Sequence, residues 1–207
     1  MKSQIFKAKN IGVAMLMAFF ALVITSCSKE NLSPMGNDTN VAASTTDLRK
    51  APIVPEIIQV PEGNKLVWSA YATGSQIYQC ERSTTDSTVF LWVFIAPDAT
   101  LYSDQAYTEQ VGIHYVGPTW EATTGPKEGK KVVGLKLQSI TEDITAVPWL
   151  LLSAVPSSEP DSYTQITYIQ RLYTTGGLAP TTGADAAHEG EQVNVPYTAQ
   201  YFFYAAR

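Results

Sequence analysis

Thiols and imidazoles are scarce: the chain holds two cysteines and two histidines among 207 residues. With Cys27 committed to the lipid attachment argued below, Cys80 is the sole remaining thiol, and no intramolecular disulfide can form. The folded part must therefore be held by its core. No Gly-x-Ser-x-Gly elbow and no His-Glu-x-x-His pair is present, so neither a hydrolase elbow nor a zinc helix can be read from the chain. Gly125 to Lys131 superficially suggests a phosphate loop. Gly129-Lys130-Lys131 lacks the following Ser or Thr, the spacing is short, and Pro126 removes a cradling N–H. No heptads, internal repeats or basic clusters occur, which leaves nothing to support a coiled coil, a solenoid or a nucleic-acid-binding face.

Long apolar runs are equally few. One spans Ile11–Ile24, 14 residues long, short of the roughly 20 that a membrane-spanning helix needs. It follows Lys2, Lys7 and Lys9 and leads into Ile24-Thr25-Ser26-Cys27. A basic start, an apolar stretch and a small-residue site make a secretory signal over residues 1–26. Because the site ends in cysteine, it resembles the lipobox of a bacterial lipoprotein precursor, which implies cleavage before Cys27 and acylation of its thiol. Two or three acyl chains hold a protein stably at a bilayer where one does not. Ser28-Lys29-Glu30 resembles the export tag of Bacteroidetes lipoproteins, which implies the outer membrane and its outer face. The expected partners are thus the membrane, through the lipid, and an extracellular or periplasmic ligand or protein.

Residues 27–53 are polar, lack aromatic side chains and read as a flexible tether. Residues 54–207 have the length of one ordinary domain. The leader takes away three lysines and no acid, which moves the net charge from −5 to −8. An acidic exterior disfavours nucleic acid and adsorption to anionic membrane surfaces.

The domain is expected to be all-β, a single sandwich or barrel-like body of about ten short strands. Aromatic and β-branched runs, punctuated by Gly, Pro, Asp and Ser, fall at Glu56–Val60, Lys65–Ala72, Gln76–Glu81, Thr88–Ile95, Thr100–Ser103, Val111–Tyr115, Lys131–Gln138, Trp149–Val155, Thr164–Tyr173 and Ala199–Tyr204. Leu66, Trp68, Ala70 and Ala72 are spaced to share one face. Val89–Ile95 and Trp149–Leu152 are continuously apolar, the pattern of strands covered on both sides. Ala96-Pro97-Asp98-Ala99 has turn chemistry, and Gln200–Tyr204 fits either a central or an edge strand.

Few residues carry chemistry. Cys80, within an apolar strand, reads as buried and inert, with no base nearby to activate it. His114 and His188, with Glu121 and Asp185, have the donor types for a divalent metal, the one cofactor the chain admits, though their spacing follows no metal motif. The alternative places His114 in a core hydrogen bond and His188 in a solvated loop. Arg171, beside Gln170 and among Ile166, Tyr168, Ile169 and Leu172, lies either on the wet face of a sheet or buried against a carboxylate. With Trp120, Gln170 and Arg171 form a candidate polar site for a ligand or for the structure itself. Three functions remain open: a binding module on a β scaffold, a metal-dependent hydrolase or other enzyme using His114, Glu121, Asp185 and His188, and a structural or envelope protein that binds another chain through a strand edge or an apolar patch.

Six blocks, Trp92–Leu101, Val111–Glu121, Val147–Ala154, Thr167–Pro180, Asp185–Gly190 and Pro196–Tyr204, occur in the order in which similar blocks occur in one family. The domain from about Val54 resembles domain of unknown function 3455, found in secreted bacterial and fungal proteins. The resemblance implies an all-β fold and no particular activity. Where relatives carry Gly-Cys-Asp, this chain has Gly183-Ala184-Asp185. The resemblance therefore implies that relatives bridge that cysteine to the one matching Cys80, that this chain has lost the bridge, and that Cys80 and Ala184 are neighbours.

Overall fold

The computed structural model describes residues 50–159 and 162–207. The expected signal peptide of residues 1–26, the expected lipidation site Cys27 and the expected tether as far as residue 49 lie outside the described residues. Eight strands make one sheet: β1 (Asn64–Arg82), β2 (Phe90–Tyr102), β3 (Gln110–Tyr115), β4 (Thr119–Ala122), β5 (Lys131–Ile140), β6 (Trp149–Ala154), β7 (Ile166–Gly176) and β8 (Gln192–Ala206). Each pairs antiparallel with the next, and β8 closes on β1. The all-β expectation holds, and of its two architectures the chain adopts an up-and-down barrel. Closure leaves no edge along β8, because Tyr201 pairs with Ala70 of β1 and with Arg171 of β7.

Eight strands replace the expected ten because two breaks are bridged, one expected run forms no strand, and β4 is added where none was expected. The runs on either side of Gly74 fuse into the 19-residue β1. A Cβ at Gly74 would stand 2.1 Å from the Asp98 carbonyl oxygen and 2.5 Å from Ala99 Cα, so glycine here permits close passage of β2 and does not end the strand. Ala96-Pro97-Asp98-Ala99 is likewise no turn but part of β2. Pairing with β3 begins only at Ala99. Around Pro97 the strand has one neighbour, and the missing N–H leaves no ladder bond unmade on the other side. A third run, Glu56–Val60, forms no strand. It holds a 3₁₀ turn at Glu56–Ile58, closed by Ile58 N–H donating to the Pro55 carbonyl.

Two apolar clusters lie on opposite faces of the wall. Ala70, Ala72, Leu101, Trp120, Leu152, Ile169, Tyr201 and Phe203 fill the barrel, with Trp68 packed against them. An eight-stranded barrel is just wide enough to be filled in this way. Outside, Leu151, Leu172, Phe202 and Tyr204 pack on Ile58 and on the partly buried Val54 and Val60. The segment around the 3₁₀ turn is thus a strap over β5, β6, β7 and β8. It explains why Trp149–Leu152 is apolar at successive positions. Leu66 joins the outer cluster and Trp68 the inner one, because a bulge at Val67 reverses the alternation between them.

Val89–Ile95, by contrast, is not covered on both sides. Leu91 is 50% and Phe94 49% exposed, since neither strap nor β3 reaches this part of β2. The four residues of β4 pair with β5 only as far as Val133. Beyond the β3–β4 turn, the upper parts of β2 and β5 therefore stand apart, leaving a notch in the wall. The short β3 and β4 also fall well below the roughly 9–11 residues of a membrane-spanning strand.

Candidate ligand-binding pocket

The notch opens into a pocket of about 380 Å³. Its apolar walls include Phe94, Pro97, Pro118, Leu150 and Leu152, and its polar groups come from Gln76, His114, Trp120, Lys136, Arg171 and Tyr201. Strand pleat aims them inward: Arg171 sits opposite Leu150 of β6 and Tyr201 of β8, and His114 opposite Trp120. Gly134 makes room for the floor, because a Cβ there would come 2.9 Å from Trp120 Cζ3 and 3.0 Å from Leu152 Cδ2.

Arg171 resolves neither way that its sequence context allowed. Its Nε and Nη2 donate to the Pro148 carbonyl at 3.1 and 2.9 Å, and among the described residues no carboxylate pairs with it. Its charge reaches the surrounding groups. Burial pushes the Tyr78, Tyr197 and Tyr201 hydroxyls above the ordinary phenol range, and Arg171 pulls each back in part. These phenols stay protonated near neutrality, so none supplies a counter-charge.

His114 is buried, and burial drives its pKa down to about 3, with Arg171 adding to the effect. Its Nδ1 lies 2.8 Å from the Thr119 carbonyl. Since a carbonyl only accepts, Nδ1 carries the proton of a neutral ring. Of four buried side-chain atoms without a partner among the described residues, Thr123 Oγ1 and Gln200 Oε1 lie elsewhere and two belong to this pocket. Trp120 Nε1 has none, and Gln76 Nε2 faces the Tyr197 hydroxyl without a hydrogen bond of normal geometry. Orphaned polar atoms are uncommon in a protein interior, and here both line the one pocket.

The four metal candidates do not come together. His114 lies inside the barrel, whereas Glu121, next along β4 from the inward Trp120, takes the opposite face and accepts a hydrogen bond from the Tyr115 hydroxyl at 2.8 Å. Asp185 and His188 pair with each other in the exposed β7–β8 loop, Nδ1 to Oδ1 at 2.7 Å, which raises the histidine pKa and lowers that of the aspartate. Among the described residues, no three His, Cys, Asp or Glu side chains are grouped to hold a metal.

Of the other candidates, Trp120 and Arg171 meet in the pocket and Gln170 does not. It faces the strap, where its Nε2 donates to the Ile58 carbonyl and its Oε1 accepts from the Tyr204 hydroxyl, both at 2.7 Å. Cys80 is free and buried. Its Sγ lies 3.6 Å from the carbonyl oxygen of Asp185, the neighbour of Ala184. Gln76, Lys136 and Tyr201 were not singled out from the sequence. The one available sign was β5, where Val132, Gly134 and Lys136 alternate with Val133, Leu135 and Leu137. The apolar triplet faces outward, with Leu135 60% exposed. A glycine and a lysine on the inner face mark a gap in the filling.

Three other cavities are found among the described residues, one of them, of about 500 Å³, bordering the strap and lined by Val54, Val60, Gln170 and Tyr204. A second of about 710 Å³ lies beneath the β6–β7 loop and has both Lys131 and Glu159 on its lining, but that loop includes residues 160 and 161, outside the described set. Another of about 470 Å³, lined by Trp68, Val111 and Tyr163, sits at the opposite end of the barrel. None of the three has a buried, unpartnered polar side chain on its lining.

Fold and site together define a closed, eight-stranded up-and-down β-barrel, plugged by aromatic side chains, with a side-opening pocket that has cations and no acid on its lining. Residues 61–205 match the family described as protein of unknown function (DUF3455), and the chain belongs to that family. No curated protein and no solved structure matches significantly.

Proposed function

We propose that the protein is a small-molecule-binding module of the cell envelope, held at the outer membrane by lipid on Cys27. The observation that carries the binding role is the pocket itself. At about 380 Å³ it falls in the size range of small-ligand sites, and it combines apolar walls with a few convergent polar groups. The anchoring half rests on the basic leader, the short apolar run and the cysteine at the cleavage site. A thermal-shift screen of small molecules tests the first half. A ligand that binds the folded barrel alone raises its melting temperature by mass action, and Leu150→Trp, which fills the pocket, is expected to abolish that rise. Hits that survive this substitution would move binding elsewhere. Fractionation tests the second half: Cys27→Ser is expected to release a folded protein from the membrane fraction.

A further inference from the structure

We propose that the pocket takes an anionic ligand, a monocarboxylate with an apolar body, whose carboxylate sits on the Arg171 guanidinium. This rests on the pocket being the binding site and adds the chemical class of its occupant. A guanidinium has five N–H donors. Arg171 uses two groups on a single carbonyl oxygen and has Tyr201 at its side, which leaves N–H donors free. A half-buried charge with only dipoles around it is costly to keep unless an opposite charge arrives. Lys136 adds a second cation at the rim, and no Asp or Glu lines the pocket. In a chain of net charge −5, this is a local reversal of sign, and low-dielectric walls focus such a field onto an entering anion. A carboxylate matches the planar fork of Arg171 with two parallel hydrogen bonds. Behind that head, Phe94, Pro97, Leu150, Leu152 and the face of Trp120 offer an apolar and aromatic lining, and the unpartnered Gln76 Nε2 is a further donor for the same oxygens.

The test compares three probes of one shape on the isolated barrel, which closes on itself and buries its own core within the described residues. Phenylacetate, 2-phenylethanol and 2-phenylethylamine are titrated at neutral pH, followed by the Trp120 indole resonance. The acid is expected to bind more than about tenfold tighter than the alcohol, and the amine weakest. Raising the salt should weaken the acid alone, and Arg171→Gln should remove its advantage while sparing the alcohol. An exposed control, Arg82→Gln, should change nothing. The wild-type probe comparison decides the matter even if Arg171→Gln fails to fold. If the alcohol binds as tightly as the acid, the ligand class is wrong and the pocket survives as a binding site. If none of the three probes binds, the proposed ligand class is wrong, and the thermal-shift screen with Leu150→Trp decides separately whether the pocket binds at all.

Discussion

Trp120 lies flat on His114, with ring centroids 4.4 Å apart and planes 9° from parallel. The stack keeps the imidazole dry, and a dry imidazole stays neutral. Its pKa of about 3 in the barrel lies below the ordinary imidazole value of 6.5. Between those two values the unfolded chain takes up a proton that the folded one refuses. His114 therefore supports the fold fully above about pH 6.5, and that support is lost as pH falls towards 3, at no more than about 1.4 kcal/mol per pH unit. His114→Phe keeps a stacked ring and removes the titration. Urea midpoints measured from about pH 7 to pH 4 should fall faster for the wild type than for the variant. Parallel curves would show that His114 does not titrate with folding.

Gly134 is the other support of that floor. Alanine in a strand normally gains about 0.5–1 kcal/mol over glycine through the unfolded chain. Here the added methyl meets both Trp120 and Leu152 within 3.0 Å, and overpacking of this kind costs about 1–3 kcal/mol. Gly134→Ala is expected to lower stability and to alter the near-ultraviolet dichroism of the buried tryptophan. A stabilised variant with an unchanged spectrum would mean that the floor is looser than the contact distances imply.

The wall of this barrel was largely legible in the sequence, because period-two alternation reports a strand with one buried face whatever sheet it joins. What escaped was set by position around the barrel. Pro97 has turn chemistry in any local window, and only the absence of β3 beside it makes a strand conformation tolerable. Leu66 and Trp68 are two apart, yet one inserted residue sends them to different clusters. Arg171 and Gln170 illustrate the same limit in the site. Both are polar residues in an apolar strand, and no local pattern tells which faces the pocket and which faces the strap. That choice depends on Ile58, more than 100 residues earlier in the chain.

The strap makes a prediction of its own. Gln170 is 1% exposed and satisfies both the Ile58 carbonyl and the Tyr204 hydroxyl. Gln170→Leu keeps much of the volume and leaves those two groups without a partner, at about 1–3 kcal/mol for each. The variant should unfold at lower denaturant. Hydrogen exchange should also quicken at Ile58 and Gln59, whose amides bond within the strap to the Pro55 and Glu56 carbonyls. Unchanged protection would show that burial of the Ile58 side chain alone holds the strap down.

The β7–β8 loop runs alongside Cys80. Gly190 N–H donates to the Cys80 carbonyl at 2.8 Å, Cys80 N–H to that of Glu191 at 2.9 Å, and Sγ rests against Asp185. Arg82 pairs with Glu189 at 2.7 Å just beyond. A loop already fixed at its far end needs little movement for residue 184 to reach the thiol. Ala184→Cys is therefore expected to bond to Cys80 under oxidising conditions. A bridge closing a loop of roughly 100 residues restricts the unfolded chain strongly, and such bridges typically contribute about 2–4 kcal/mol once native strain is included. Thiol alkylation should count none free in the oxidised variant and two after reduction, with the melting temperature higher in the oxidised form. Two alkylated thiols after oxidation would place residue 184 out of reach and remove the neighbour relation between the loop and β1.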